Sequence, residues 1–235
     1  MNIYNKAFEN LSLIKKNHDK INIIKNKIHS EHNRNNTNFQ SICDEYHQFF
    51  FFILNLKNII RSGWSSKTNI KDPESVAEHT YSLCLIGMLF SDMFGFKTER
   101  VIKMALLHDL AETITGDYTP EEISPKEKVL KERTAIKKIL GLLPKKIRSE
   151  YMFIWKEYTL NNTDTSRLVH NLDKFEMLLQ ANLYLNKGIS YESLRTFFES
   201  GLDYLNNKNV PRNKISSNYA EFDKFLLKLS RKFSL

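Results

Sequence analysis

Two His-Asp dipeptides occur in the 235-residue chain, His18-Asp19 and His108-Asp109. A histidine beside an aspartate offers an imidazole nitrogen and a carboxylate oxygen, donors that can hold a divalent cation or pass a proton. Context separates the two. His18-Asp19 lies in a polar, Lys-rich stretch, where a solvated pair is the simplest reading. His108-Asp109 follows Met104-Ala105-Leu106-Leu107, and an ionisable pair among apolar neighbours is costly to bury unless something binds it. His79 and Asp173 stand in similar surroundings, the first after Val76-Ala77-Glu78, the second among Leu172, Phe175 and Leu178. Taken singly, each has an ordinary alternative: a hydrogen-bonded core histidine, or an aspartate paired with Lys or Arg. Taken together, two imidazoles and two carboxylates make a ligand set for one divalent ion. The set leaves room for water and suits Co²⁺, Mn²⁺, Fe²⁺ or Mg²⁺ better than a closed thiolate zinc site. Such an ion lowers the pKa of a water it binds from 15.7 to about 7. Glu112 lies one helical turn beyond His108, about 6 Å along the axis, where it can hold that water or shuttle a proton; its ordinary alternative is a surface salt bridge.

These side chains need helices to position them. Every strong hydrophobic period in the chain is helical and hairpin turn dipeptides are absent, so the fold class is expected to be all-α, a compact bundle of roughly six core helices. Phe49, Phe50, Phe52, Ile53, Leu56, Ile59 and Ile60 predict a deeply buried helix over 46–60, broken by Ser62-Gly63. Asp72 as N-cap with Pro73 at the first helical position predicts a helix running to about Phe94, where Gly95 stops it. Thr98 is a candidate cap for the next helix, expected to carry His108, Asp109 and Glu112 through to Gly116. Ser124-Pro125-Lys126-Glu127 opens a helix ending near Gly141; further helices are expected over 144–160, 166–186, 191–206 and 218–233.

Residues 1–38 have a different texture, rich in Asn and Lys, with Leu11, Ile14, Ile21, Ile24 and Ile28 at helical spacing and a polar tract over 31–38. They read as a partly flexible extension preceding one domain over 39–235. A net charge of +8 invites a nucleic-acid reading, but Lys and Asn are spread through the chain rather than gathered in a stripe, which argues for a solvated basic surface and fits an anionic small-molecule substrate. The two cysteines, Cys43 and Cys84, form no Cys-x-x-Cys unit, consistent with a reduced, cytoplasmic protein. No run approaches the ~20 apolar residues of a membrane span, and no signal peptide is evident.

The order His79, His108-Asp109, Asp173 resembles the H…HD…D signature of the HD-domain metal-dependent phosphohydrolases. Arg61-Ser62-Gly63-Trp64, Pro73-Glu74-Ser75-Val76-Ala77-Glu78-His79, Leu107-His108-Asp109-Leu110-Ala111-Glu112, Gly116-Asp117 and Pro120 are similar to the 5′-deoxynucleotidase branch over about residues 45–205. The resemblance implies an HD-domain helical bundle that hydrolyses 2′-deoxyribonucleoside 5′-monophosphates and works as a homodimer. His79, His108, Asp109 and Asp173 would hold the metal, Glu112 would handle protons, and Asp117 would orient the sugar hydroxyl or the phosphate. A divalent ion with two aspartates is neutral, so a dianionic phosphate needs a further cation, and Arg61 is the candidate. Trp64 would wall the sugar site; the bacterial branch has Arg directly followed by Trp, whereas here Ser62-Gly63 intervenes as in the eukaryotic-like pattern. The alternatives are an HD phosphohydrolase acting on a cyclic nucleotide, a dNTP or an alarmone, and a non-catalytic nucleotide-binding module.

Overall fold

The computed structural model describes residues 36–207 and 214–232. Most of the extension expected over 1–38 lies outside the described residues. The chain divides into two units, Met1–His47 and Gln48–Leu235. Of the first, the described part is the start of helix α1 (Asn36–Asn55), where Gln40 Nε2 donates to Asp44 Oδ1 at 3.1 Å.

The second unit continues from α1 through a 3₁₀ turn (Leu56–Asn58) into α2 (Ser62–Lys67), α3 (Val76–Phe94), α4 (Thr98–Leu107) and the short α5 (Glu112–Thr115). Then come α6 (Pro125–Gly141), α7 (Lys145–Leu160), α8 (Asp164–Asn186), α9 (Tyr191–Asn206) and α10 (Ser217–Ser230). Among the described residues there is no strand, only an isolated antiparallel bridge between Ile60 and Ser75. No described helix is long and apolar enough to cross a membrane. The 23-residue α8 is the hub, packing on α3, α4, α7, α9 and α10, with Leu168, Leu172 and Leu178 wholly buried.

Four expectations are corrected. The first core helix ends at Asn55, and Phe50, Phe51, Ile53 and Leu54 are exposed rather than deeply buried. The run Phe49-Phe50-Phe51-Phe52-Ile53-Leu54 is apolar on every side, so its pattern cannot say which side meets the core. Ser62-Gly63 begins α2 instead of breaking a helix; a side chain at Gly63 would press on the Phe197 ring, 3.3 Å from an added Cβ. Helix α3 starts at Val76, because Ser75 and Glu78 form a reciprocal capping box that outcompetes Asp72 and Pro73. Lys97, not Thr98, occupies the N-cap of α4, and that helix stops at Leu107, ahead of the residues it was expected to carry.

Candidate metal centre

The stop at Leu107 shapes the site. From His108 to Ala111 the backbone tightens, with Leu110 N bonding Leu107 O (3.4 Å), Glu112 N bonding Asp109 O (2.9 Å) and Thr113 N bonding Leu110 O (3.4 Å). Bonds of this i to i−3 kind wind about three residues per turn and eclipse side chains three apart. Asp109 and Glu112 are so spaced, and the turn lets His108 and Asp109, about 100° apart on a regular helix, address one point.

His79, on the first turns of α3, is completely buried. Its Nδ1 lies 2.6 Å from Glu176 Oε2 on α8. A carboxylate only accepts, so Nδ1 carries the proton and the Nε2 lone pair faces inward. His108 is arranged likewise, with Nδ1 donating to its own helix at Ala105 O, 2.6 Å away. Neither Nε2 atom has a hydrogen-bond partner. Asp109 Oδ2 lies 2.8 Å from His108 Nε2 and 4.0 Å from His79 Nε2; Asp173 Oδ1, from α8, lies 3.3 Å from His79 Nε2. Two buried lone pairs and two carboxylates aimed together are the donor set of a divalent cation, and their orphaned state is what such an ion would relieve. His79, His108 and Asp109 offer donors all within 4.8 Å of one another.

The charges fit. Burial works to raise both aspartates, yet His108 beside Asp109 outweighs it, as Lys174 and His79 do for Asp173, so both carboxyls stay well below their usual range. Burial and Arg61 work to lower His79, but the adjacent Asp173 and Glu176 carboxylates carry the imidazole up to about 9. Glu112 is almost fully buried; burial, Asp109 and Asp117 together raise its carboxyl well above the ordinary value. Its Oε1 accepts from Lys128 Nζ at 3.3 Å while Oε2 has no partner.

Arg61 lies at the edge of this cluster, Nη1 at 3.9 Å from Asp173 Oδ1 and Nε at 3.9 Å from Glu74 Oε1. Its backbone N–H bonds Glu74 O, so the bridge that joins the two segments also aims the guanidinium. Trp64 is only 1% exposed, stacked on Phe197 at 4.0 Å with Tyr184 edge-on, and donates Nε1 to Glu74 Oε1 at 2.9 Å. Trp64 is thereby a buried prop for Glu74, the acid facing Arg61. Asp117 accepts from Ser62 N at 2.8 Å through Oδ2 and from Ser62 Oγ at 2.5 Å through its carbonyl, with Oδ1 3.8 Å from Lys128 Nζ. It joins the Gly116 turn, where φ is 76°, to the start of α2.

Sequence reasoning missed Glu176, Glu74 and Lys128. Glu176 carried a signal of the kind that found Asp173, being a second acid three residues on in an apolar helix. Lys128 carried none, since a lysine in the first turn of a polar helix looks like any solvated lysine; here it faces Glu112, Asp117 and Glu132.

The sequence profile of the HD domain matches residues 53–209. The 5′-deoxynucleotidase HDDC2 of Danio rerio is 37% identical over 158 residues, covering 67% of this chain and 78% of the relative. A conserved hypothetical protein from Pyrococcus furiosus superposes with TM-score 0.62 at 26% identity, over 79% of this chain and 98% of that one. The HD phosphohydrolase DatZ of cyanophage S-2L, bound to dA and one catalytic Zn²⁺, shares the fold at TM-score 0.51 and 19% identity, over 78% and 95% of the two chains.

Proposed function

The chain belongs to the HD domain family, and from that premise we propose that it hydrolyses 2′-deoxyribonucleoside 5′-monophosphates to deoxynucleoside and phosphate. The observation that carries the reading is the pair of buried, unpartnered His79 and His108 Nε2 atoms aimed between Asp109 and Asp173, beside an unpartnered Glu112 oxygen. Similarity to a 5′-deoxynucleotidase over most of the chain supplies the substrate class. A divalent ion in that set, Co²⁺, Mn²⁺, Fe²⁺ or Mg²⁺, would supply Lewis acidity and a more acidic water.

The protein's own groups do the rest. Arg61 grips the phosphate, held on line by Glu74 and, beneath it, Trp64. Glu112 takes the proton of the water that attacks phosphorus; its oxygen is free on the site side and the neighbouring Lys128 keeps the carboxylate in place. As the new P–O bond forms, the P–O5′ bond breaks and a proton goes to the 5′ oxygen. Asp117 orients the sugar hydroxyl or the phosphate from the Gly116 turn. The test is phosphate release from dAMP, dGMP, dCMP and dTMP, set against ribonucleotides and 3′-monophosphates, after metal reconstitution. If metal-loaded protein cleaves none of them, the reading fails.

The enzyme is cytoplasmic in this reading, which the free Cys43 and Cys84 support, and homodimeric. Tyr81, Leu85, Met88, Leu89 and Met93 form an exposed apolar stripe along one face of α3, the kind of surface a second copy covers. Sedimentation of Leu89→Glu should give a monomer where the wild type gives a dimer; a wild-type monomer at micromolar concentration sinks that part.

A further inference from the structure

We propose that Lys174 is a second phosphate-binding residue, which with Arg61 brackets Asp173 and takes an oxygen of the phosphate dianion at the metal centre. The proposal rests on the phosphomonoester reading above and deepens it.

Geometry comes first. Asp173 uses its two oxygens differently: Oδ1 faces His79 Nε2 at 3.3 Å and Arg61 Nη1 at 3.9 Å, whereas Oδ2 faces Lys174 Nζ at 3.0 Å. The ammonium therefore lies across the Asp173 carboxylate from the oxygen that meets the His79 imidazole. A phosphate, whose oxygens span a similar width, can touch both the ion position and Lys174.

Charge balance separates Lys174 from the other cations of the site. Arg61 is shared between Asp173 and Glu74. Lys128 is outnumbered by Glu112, Asp117 and Glu132. Among the described residues Lys174 has Asp173 as its ion-pair partner. A divalent ion held by Asp109 and Asp173 cancels those two carboxylates and leaves the lysine without its counter-charge. Loading the centre thus creates a positive position beside the ion, where the arriving dianion needs one.

Mobility completes the case. The Arg61 side chain is 15% exposed and held from two sides, whereas that of Lys174 is 34% exposed on a four-carbon stem. Tyr204, its ring centre 6.0 Å from the ammonium, walls one side. Arg61 makes a fixed floor and Lys174 a rim that can turn from carboxylate to phosphate.

The experiment titrates inorganic phosphate into Mn²⁺-loaded wild type, Lys174→Gln and Lys174→Arg by calorimetry, titrates Mn²⁺ alone into each apo-protein, and measures dAMP turnover in parallel. Lys174→Gln should weaken phosphate binding about tenfold and raise KM for dAMP by more than it lowers kcat, with Mn²⁺ affinity no weaker than wild type; Lys174→Arg should restore most of the loss. Phosphate affinity unchanged in Lys174→Gln overturns the proposal, as does a loss of Mn²⁺ affinity in that variant, which would make the lysine a support for Asp173 alone. A wild type that binds phosphate but hydrolyses no deoxynucleotide sinks the proposed reaction while the binding comparison still decides the role of Lys174. A loaded wild type that binds no phosphate overturns it.

Discussion

At the scale of single residues, proton and metal compete for one atom. His79 Nε2 must be bare to bind a cation, yet Asp173 and Glu176 carry the imidazole up to about 9 without one. Below that pH a proton occupies the lone pair and must leave when metal binds; above it nothing need leave. Apparent metal affinity should therefore climb from pH 6.5 to 8.5 by up to about tenfold per unit and level off near pH 9. Calorimetry in buffers of different ionisation enthalpy should count close to one proton released per ion at pH 7, and a flat affinity with no proton release would contradict the assignment. Replacing Asp109 with Ala should abolish both metal binding and turnover, and undiminished activity would rule out the cluster as the reactive centre. That His79, His108, Asp109 and Asp173 would gather was readable in the sequence because charge in an apolar helix is costly and so marks its own position. Glu176 and Glu74 were not read, because what makes them important is a contact 97 residues away for Glu176–His79 and an indole donor for Glu74. The bond from the Trp64 N–H to Glu74 went unread for a related reason, since it shows only with Glu74 in place.

At the scale of the elements, the stop of α4 and the start of α3 decide where the histidines point. Ser75 Oγ accepts from Glu78 N at 3.3 Å, and Glu78 Oε2 accepts from Ser75 N at 2.7 Å, one residue before His79. Removing the cap by Ser75→Ala should cost about 1 kcal/mol of stability, read as a melting temperature lower by roughly 2–4 °C, and should weaken metal binding through the loosened first turn. Asp72→Ala, at the exposed position that the sequence pattern favoured as the cap, should change stability by less than about 0.5 kcal/mol. The reverse ranking would mean that Pro73, not Val76, begins the helix. The helices themselves were legible, since Gly95 and Ser124-Pro125 punctuate them as capping chemistry requires. What escaped was the change of pitch after Leu107. Apolar period and propensity continue smoothly through Leu110 and Ala111, whereas the tight turn goes with His108 and Asp109 facing His79 on another helix, a long-range contact no local pattern records.

At the scale of the whole second unit, the centre draws donors from three places far apart in sequence: α3, the turn after α4, and α8. An ion held there would tie together helices that otherwise meet through apolar packing around Leu83, Met104 and Leu172 and through the His79–Glu176 hydrogen bond. Without it, His79 Nε2 holds a proton below about pH 9 and the buried His108 Nε2 stays without a hydrogen-bond partner, at a cost of about 1–3 kcal/mol. Binding to the folded chain alone stabilises it by mass action, about 2.7 kcal/mol when free metal is a hundred times the dissociation constant. A domain of this size gains roughly 2–4 °C per kcal/mol, so metal loading should raise the melting temperature by about 5–10 °C, reversibly on chelation. The shift must vanish in an Asp109→Ala protein whose circular dichroism matches the wild type, because a general salt effect on a chain of net charge +8 would act on both proteins alike. An equal rise in wild type and variant would place the ion elsewhere. A rise confined to the wild type would mean that the cluster which does the chemistry also fastens α8 to α3 and α4, so that loss of metal weakens the packing that aims Arg61 and Glu112.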